Sequence, residues 1–188
     1  MNGNFRKRSL FLLVLICTLV FACKNTSATS TATNIEKNGV GKKVYFAAPL
    51  FNEMEKDYNL KIVSILESYG YEVFLPQRDG IEAINLNDKT EKEKIELIFN
   101  KDTEEIKKAD ILFAVLDGRV PDEGMCIEIG IAYASGKRCY GIRDDIRAIE
   151  IDMDLNPMIV GCFDRIFYDL DSERLINSLK DYLSKNEL

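Results

Sequence analysis

Short apolar runs alternate along this chain with longer segments whose apolar residues recur every three or four positions. "KKVYFAAP" (Lys42 to Pro49), "YEVFLP" (Tyr71 to Pro76), "DILFAVLD" (Asp110 to Asp117), "RCYGI" (Arg138 to Ile142) and "DRIFYDL" (Asp164 to Leu170) have the length and composition of strands buried on both faces. Between and after them, Ile62, Ile65, Leu66 and Tyr69 mark one helix, and a charged segment from Glu91 to Ala109 marks a second. "PDEGMCIEIGIAYASGK" (Pro121 to Lys137) gives a third, and Leu175, Ile176, Leu179 and Leu183 give the last. "QRDG" after Pro76 reads as a turn. Strands alternating with helices predict an α/β fold with a five-stranded parallel sheet covered on both faces, whose ligands bind beyond the carboxyl ends of the strands. No internal repeat is present.

The first residues follow a different pattern. Arg6, Lys7 and Arg8 precede "LFLLVLICTLVFA" (Leu10 to Ala22), an apolar run too short to span a bilayer comfortably, and the run ends at Cys23. This predicts a lipoprotein-type signal peptide over residues 1–22, with lipidation at Cys23 and a membrane-anchored chain facing outside the cytoplasm; an uncleaved signal anchor is the alternative. Residues 23–41, rich in Ser, Thr, Asn and Ala, are expected to be a flexible tether to a domain at 42–188. With Cys17 in the leader and Cys23 lipidated, Cys126, Cys139 and Cys162 remain. An odd number without CxxC spacing favours buried thiols over a disulfide framework or a zinc site.

Composition removes several kinds of chemistry. The chain has 188 residues, a net charge of −6 and no histidine. An acidic balance argues against nucleic acid as a partner. Without histidine there is no Ser-His-Asp or Cys-His pair and no HExxH zinc site, so proton transfer falls to Asp, Glu, Tyr, Lys or Cys. Standard nucleotide motifs also fail: "GVGKK" precedes the first strand instead of following it, and the "AAPLFN" that follows has no glycine to wrap a phosphate.

Five residues are chemically out of place. Glu128 stands among Ile127, Ile129 and Ile131, and its helical neighbours Gly124, Met125, Ile131 and Ala132 offer it no cation. It is either a reactive carboxylate or a buried acid tied to a distant Arg or Tyr. Asp102 continues the stripe Ile95, Ile98, Phe99, Ile106; it either faces the sheet or, if the helix bends, adds one charge to an acidic surface. Asp117 ends the third strand, where it is a turn former before Gly118 or a ligand contact. Asp122 is placed to cap the next helix, which does not preclude holding a ligand hydroxyl. Tyr45, near the carboxyl end of the first strand, is core filling or a residue that orients a neighbouring carboxylate. Several acids and a tyrosine without histidine suit an oxocarbenium-like transition state, and so the breaking of a glycosidic bond.

"VYFAAPLF", "ADILFAVLDG" with "PDEGMCIEIGIAYASGK", and "LNPMI" (Leu155 to Ile159) together resemble the nucleoside 2-deoxyribosyltransferases over residues 43–188. The resemblance implies a flavodoxin-like three-layer sandwich, without cofactor or metal, that moves 2-deoxyribose between nucleobases by a ping-pong route. Its substrates would be 2'-deoxyribonucleosides and free nucleobases. Glu128 matches the nucleophile that forms a covalent deoxyribosyl ester, Tyr45 the residue that positions it, and Asp102 the acid near the leaving base. Asp122 matches the acid that holds sugar hydroxyls. Asn156 and Met158 match a segment that reaches into a neighbouring subunit's site, which implies a homo-oligomer with shared active sites. Gln77 lies where family members contact the base. "NPMI" departs from the more usual Asn-Leu-Met, and the leader departs from a cytoplasmic enzyme.

Two rivals stay open. The 2'-deoxynucleoside 5'-phosphate N-hydrolases share the fold and the Glu, and "PMIVG" resembles one of their segments; they use a Gly- and Ser-rich phosphate cradle after the first strand and a small hydroxyl residue at the Asp122 position. Here "AAPLFN" and a carboxylate stand there instead, and the carboxylate would repel a 5'-phosphate. The other rival is a non-catalytic nucleoside-binding surface lipoprotein.

Overall fold

The computed structural model describes residues 38–147, 154–186 and 188. The leader, Cys23 and most of the tether lie outside these residues; among those described, no helix is long and apolar enough to cross a membrane.

Five parallel strands form one sheet in the order β2-β1-β3-β4-β5: β1 (Lys43–Ala47), β2 (Glu72–Phe74), β3 (Ile111–Val115), β4 (Arg138–Arg143) and β5 (Arg165–Tyr168). This is the flavodoxin-like order, whose direction of winding reverses between β1 and β3. All five strand runs of the sequence are present. Among the described residues six α-helices accompany them: α1 (Glu53–Ser68), α2 (Pro76–Asp79), α3 (Glu91–Lys108), α4 (Glu123–Ala134), α5 (Pro157–Val160) and α6 (Ser172–Lys185). The "QRD" expected as a turn is the one-turn helix α2, with proline in its first turn where no amide donor is needed. Helix α5, also one turn long, is too short for its periodicity to be seen in sequence.

Helix starts follow local chemistry. Asn52 with Glu55 and Thr90 with Glu93 form reciprocal capping boxes at α1 and α3, while Asp122 and Asp171 cap α4 and α6.

Strand alternation divides the core in two. Val44, Phe46, Ile111, Phe113 and Val115 point to one face and pack with Ile62 and Leu66 of α1 and Leu175, Leu179 and Leu183 of α6. Tyr45, Ala47, Leu112 and Ala114 point to the other, beneath Ile106 of α3 and Met125, Ile129 and Ala132 of α4. The parity of β1 therefore puts the Tyr45 phenol under α3 and α4. The apolar stripe of α3 behaves differently from expectation: only Ile106 is buried, while Ile95 and Phe99 are exposed.

Residues Asn38 to Gly41, assigned from sequence to the tether, are part of the domain. The Asn38 side chain donates to the Leu183 carbonyl (2.9 Å) and the Gly39 amide donates to the Tyr69 carbonyl (3.0 Å). A Cβ on Gly39 would lie 2.4 Å from the Tyr71 ring, so only glycine allows this approach.

Phe113 is fully buried in the central strand and stacks on Phe46 at 5.8 Å between centroids. Phe113→Ala is expected to lower the unfolding free energy by about 3–5 kcal/mol, measured by urea denaturation with an unchanged m-value.

Candidate active site

The buried acid of α4 finds its partner on β1. The Tyr45 hydroxyl donates to Glu128 Oε1 at 2.6 Å, and among the described residues Glu128 has no ion pair. This settles its local state in physical terms. Burial pushes the Glu128 carboxyl up to about 7; the Tyr45 hydrogen bond pulls it down, and the charges of Asp102 and Asp122 push it further up. The Tyr45 phenol is itself raised well above its ordinary value, first by burial and then by the Glu128 charge. It therefore acts as a hydrogen-bond donor and not as a base.

Glu128 and Asp102 line the same groove between α3 and α4, about 330 Å³ in volume and walled by Ile95, Ile98, Phe99, Ile106, Ile127 and Ile131. Asp102 is half-buried, and this raises its carboxyl above the ordinary range, with Lys101 pulling the other way. The exposed part of the α3 stripe is thus the wall of a groove that holds two carboxyls with elevated proton affinity.

Asp117 and Asp122 line a different, larger cavity of about 830 Å³ at the carboxyl ends of β1, β3 and β4. Phe51, Tyr58, Asn59, Asp144 and Arg147 contribute to it. Asp122 is the cap of α4, accepting from the Met125 amide at 2.9 Å. Its charge is felt at Glu128, whose carboxyl it pushes up. Asp117 accepts from the Asp144 amide at 3.0 Å, and Asp145 accepts from the Gly118 amide at 2.7 Å, which ties the β3 and β4 loops together. Burial, with the charges of Asp144 and Asp145, pushes Asp117 up to about 6, against the pull of that amide hydrogen bond.

The other sequence candidates sit elsewhere. Gln77 accepts from the Asn59 amide (2.9 Å) and donates to the Lys56 carbonyl (3.0 Å), so both ends of its side chain hold α2 to α1. Asn156 caps α5, accepting from the Met158 amide at 2.9 Å, and Met158 is 80% exposed. None of the three lines the groove or the larger cavity.

Two residues that matter here were not singled out in the sequence. Asn59, buried on the apolar face of α1, holds the Pro49 carbonyl (2.8 Å) and thus the loop after β1. Its position one turn before Ile62 was the available signal. Arg143 is buried at the end of β4 and donates to the carbonyls of Leu116, Gly118 (3.2 Å) and Arg147. Nothing in a single sequence distinguishes such an arginine from an exposed one.

A family model described as nucleoside 2-deoxyribosyltransferase matches residues 44–174. Among solved structures, a 2-deoxyribosyltransferase from Bacillus psychrosaccharolyticus is 26% identical with a TM-score of 0.59, covering 74% of this chain and 91% of that one. A conserved protein from Enterococcus faecalis V583 is 28% identical with a TM-score of 0.58, covering 74% of this chain and 98% of that one. A CMP N-glycosidase from Clostridium botulinum is 21% identical with a TM-score of 0.49, over 73% and 98%. No curated protein matches the chain.

The raised Glu128 carboxyl has a consequence for stability. The folded state binds this proton more tightly than the unfolded chain, so stability falls as pH rises from the ordinary glutamate range through about 7. The isosteric Glu128→Gln removes a penalty on the order of 3 kcal/mol that is fully present only above that pH. It should raise the thermal midpoint by roughly 5–10 °C at pH 8 and change it little at pH 5, by differential scanning calorimetry.

Proposed function

This chain belongs to the nucleoside 2-deoxyribosyltransferase family, and we propose that it transfers 2-deoxyribose from a 2'-deoxyribonucleoside to a free nucleobase through a covalent ester on Glu128. The observation that carries this reading is the 2.6 Å Tyr45–Glu128 hydrogen bond beside Asp102 in one apolar groove. Tyr45 holds Oε1 and leaves Oε2 to attack C1' of the sugar. As the Oε2–C1' bond forms, the glycosidic C1'–N bond breaks, and its electron pair leaves with the base. A protonated Asp102 gives that base its proton. In the second half the acceptor base attacks C1', loses a proton to Asp102, and Glu128 leaves as carboxylate. The elevated proton affinity of Asp102, caused by its burial, supports its service as the acid of this step.

Asp122, which caps α4 and lines the larger cavity, accepts hydrogen bonds from sugar hydroxyls in this reading. The cavity beyond it carries Asp117, Asp122, Glu123 and Asp144, with Arg147 engaged by Asp145 at one wall. That charge favours an unphosphorylated nucleoside over a 5'-phosphate. A binding protein has little use for a buried carboxyl without a cation, which weighs against a non-catalytic reading.

The exposed Met158 and Asn156 suit a homo-oligomer in which this segment completes a neighbouring site. The leader supports lipidation at Cys23 and work on scavenged nucleosides outside the cytoplasm. Cys23→Ala should then abolish the incorporation of radiolabelled palmitate into the chain in expressing cells.

The test of the reaction is chromatography of the purified chain incubated with deoxyinosine or thymidine, with and without adenine. Deoxyadenosine should appear only when adenine is present, and Glu128→Ala should abolish it, a loss of at least about 10³-fold. Free deoxyribose released regardless of adenine would make the chain a hydrolase. Turnover of only 5'-nucleotides would select the phosphate-dependent rival, and no turnover of any nucleoside or nucleotide would leave a binding protein.

A further inference from the structure

The contact between Tyr45 and Glu128 depends on a hydroxyl at the end of a six-membered ring, so its geometry is only as well defined as the ring's seat. Tyr45 is fully buried, and one face of its ring is met by Phe74, its register partner on β2. The two rings stack at 5.6 Å between centroids with an interplanar angle of 21°. Phe74 is half-buried, and the Lys101 ammonium lies 5.2 Å from its centroid. Lys101 is fixed in turn by Glu105, one helical turn on, at 3.0 Å. Ammonium, phenylalanine and phenol thus form a three-tier column that leads from α3 through the end of β2 to Glu128. Lys101 immediately precedes Asp102, so the cation that covers this column also neighbours the second acid of the groove.

We propose that Phe74 and Lys101 are positioning residues for the nucleophile: the Lys101 ammonium seats the Phe74 ring, and that ring holds the Tyr45 phenol in line with Glu128 Oε1. The assignment rests on Glu128 being the nucleophile, and it adds a division of labour. Among the described residues Tyr45 is the one that hydrogen-bonds the reacting carboxylate, while Phe74 removes the rotational freedom of its ring. Lys101 links that seat to the protonation of Asp102. The groups that set the charge here come from every element packed around the column. Helix α3 supplies Lys101, Asp102 and Glu105, which Lys108 also engages at 2.9 Å; β1 supplies Tyr45, and α4 supplies Glu128 with Asp122 at its cap. Helix α2 supplies Asp79, which also feels Lys101. Within this set Lys101 is the cation that opposes the burial of Asp102. Removing it strengthens proton binding at Asp102, and loosening the phenol weakens the hydrogen bond that favours ionised Glu128.

The experiment is a carboxyl-carbon NMR titration of the full chain, wild type against Phe74→Leu, Lys101→Met and Lys101→Arg, beside kcat and KM for the sugar transfer. Phe74→Leu should move the Glu128 titration upward by about half a pH unit or more, and lower kcat about 10-fold with KM changed less than about 2-fold. Lys101→Met should move both the Glu128 and the Asp102 titrations upward by a similar amount, and Lys101→Arg should restore both. Titrations of Glu128 and Asp102 that stay at their wild-type positions in both Phe74→Leu and Lys101→Met would overturn the proposal. So would an unchanged kcat in a transferring enzyme. Lys101→Met removes little buried volume and carries the test by itself if Phe74→Leu fails to fold. The NMR readout needs no turnover, so titrations that shift in a protein without transferase activity would refute the reaction and keep the column.

Discussion

A carboxylate taken out of water with one phenol to hold it is the constraint on which this molecule's site depends. Burial alone would keep Glu128 protonated and inert; the Tyr45 hydrogen bond, opposed by the charges of Asp102 and Asp122, brings it to the edge of ionisation near neutrality. That balance requires the phenol to arrive from the sheet and the carboxylate from the helix lying over it. The parity of β1 supplies the first condition, since Tyr45 points to the α3/α4 face while its neighbours Val44 and Phe46 build the other core. The Asp122 cap supplies the second by fixing where α4 begins, so that Glu128 faces inward about a turn and a half later.

Much of this was legible in the chain because each layer leaves a local signature. Strands buried on both faces read as continuous apolar runs, and all five were found to within two residues at each end. Glu128 and Asp102 were conspicuous as charges on apolar helical faces, and both line one groove. What local pattern could not say is which apolar face lies against the sheet. Ile95, Ile98 and Phe99 have the spacing of a core stripe but wall an open groove, because the α3 axis brings only its last turns, at Ile106, onto the strands. Periodicity reports that a face is apolar; the partner that covers it is a tertiary fact.

Residues whose role lies in tertiary geometry were beyond reach for the same reason. The family resemblance put Gln77 where the base is contacted; in the structure its amide joins α2 to α1 through Asn59 and Lys56. Asp117 was marked by its place at the end of β3 and Asp122 by its place a turn and a half before Glu128; both line the larger cavity, and the Asp122 charge is also felt at Glu128. Phe74 reads in sequence as one more aromatic strand residue, and only the β1–β2 register, Tyr45 opposite Phe74, makes it the seat of the phenol.

The larger cavity shows how an acidic rim is kept in shape. The Asp117 carboxylate accepts from the Asp144 amide and the Asp145 carboxylate from the Gly118 amide, which joins the loops after β3 and β4, and Gly118 takes the positive φ of 105° that lets its amide turn toward Asp145. Beneath them Arg143 gathers three carbonyl oxygens, so a fully buried guanidinium offsets the electronegative ends of two loops. Its charge also lowers the proton affinity of Asp117, which the other carboxylates raise. These loops are therefore held by hydrogen bonds to backbone atoms and not by the hydrophobic core. Lengthening or recharging them would alter what the cavity admits, while the Tyr45–Glu128 contact is retained by the packing of β1 under α4. The shape of the cavity and the proton affinity of Glu128 thus rest on separate sets of interactions, and the α4 cap, Asp122, bears on both.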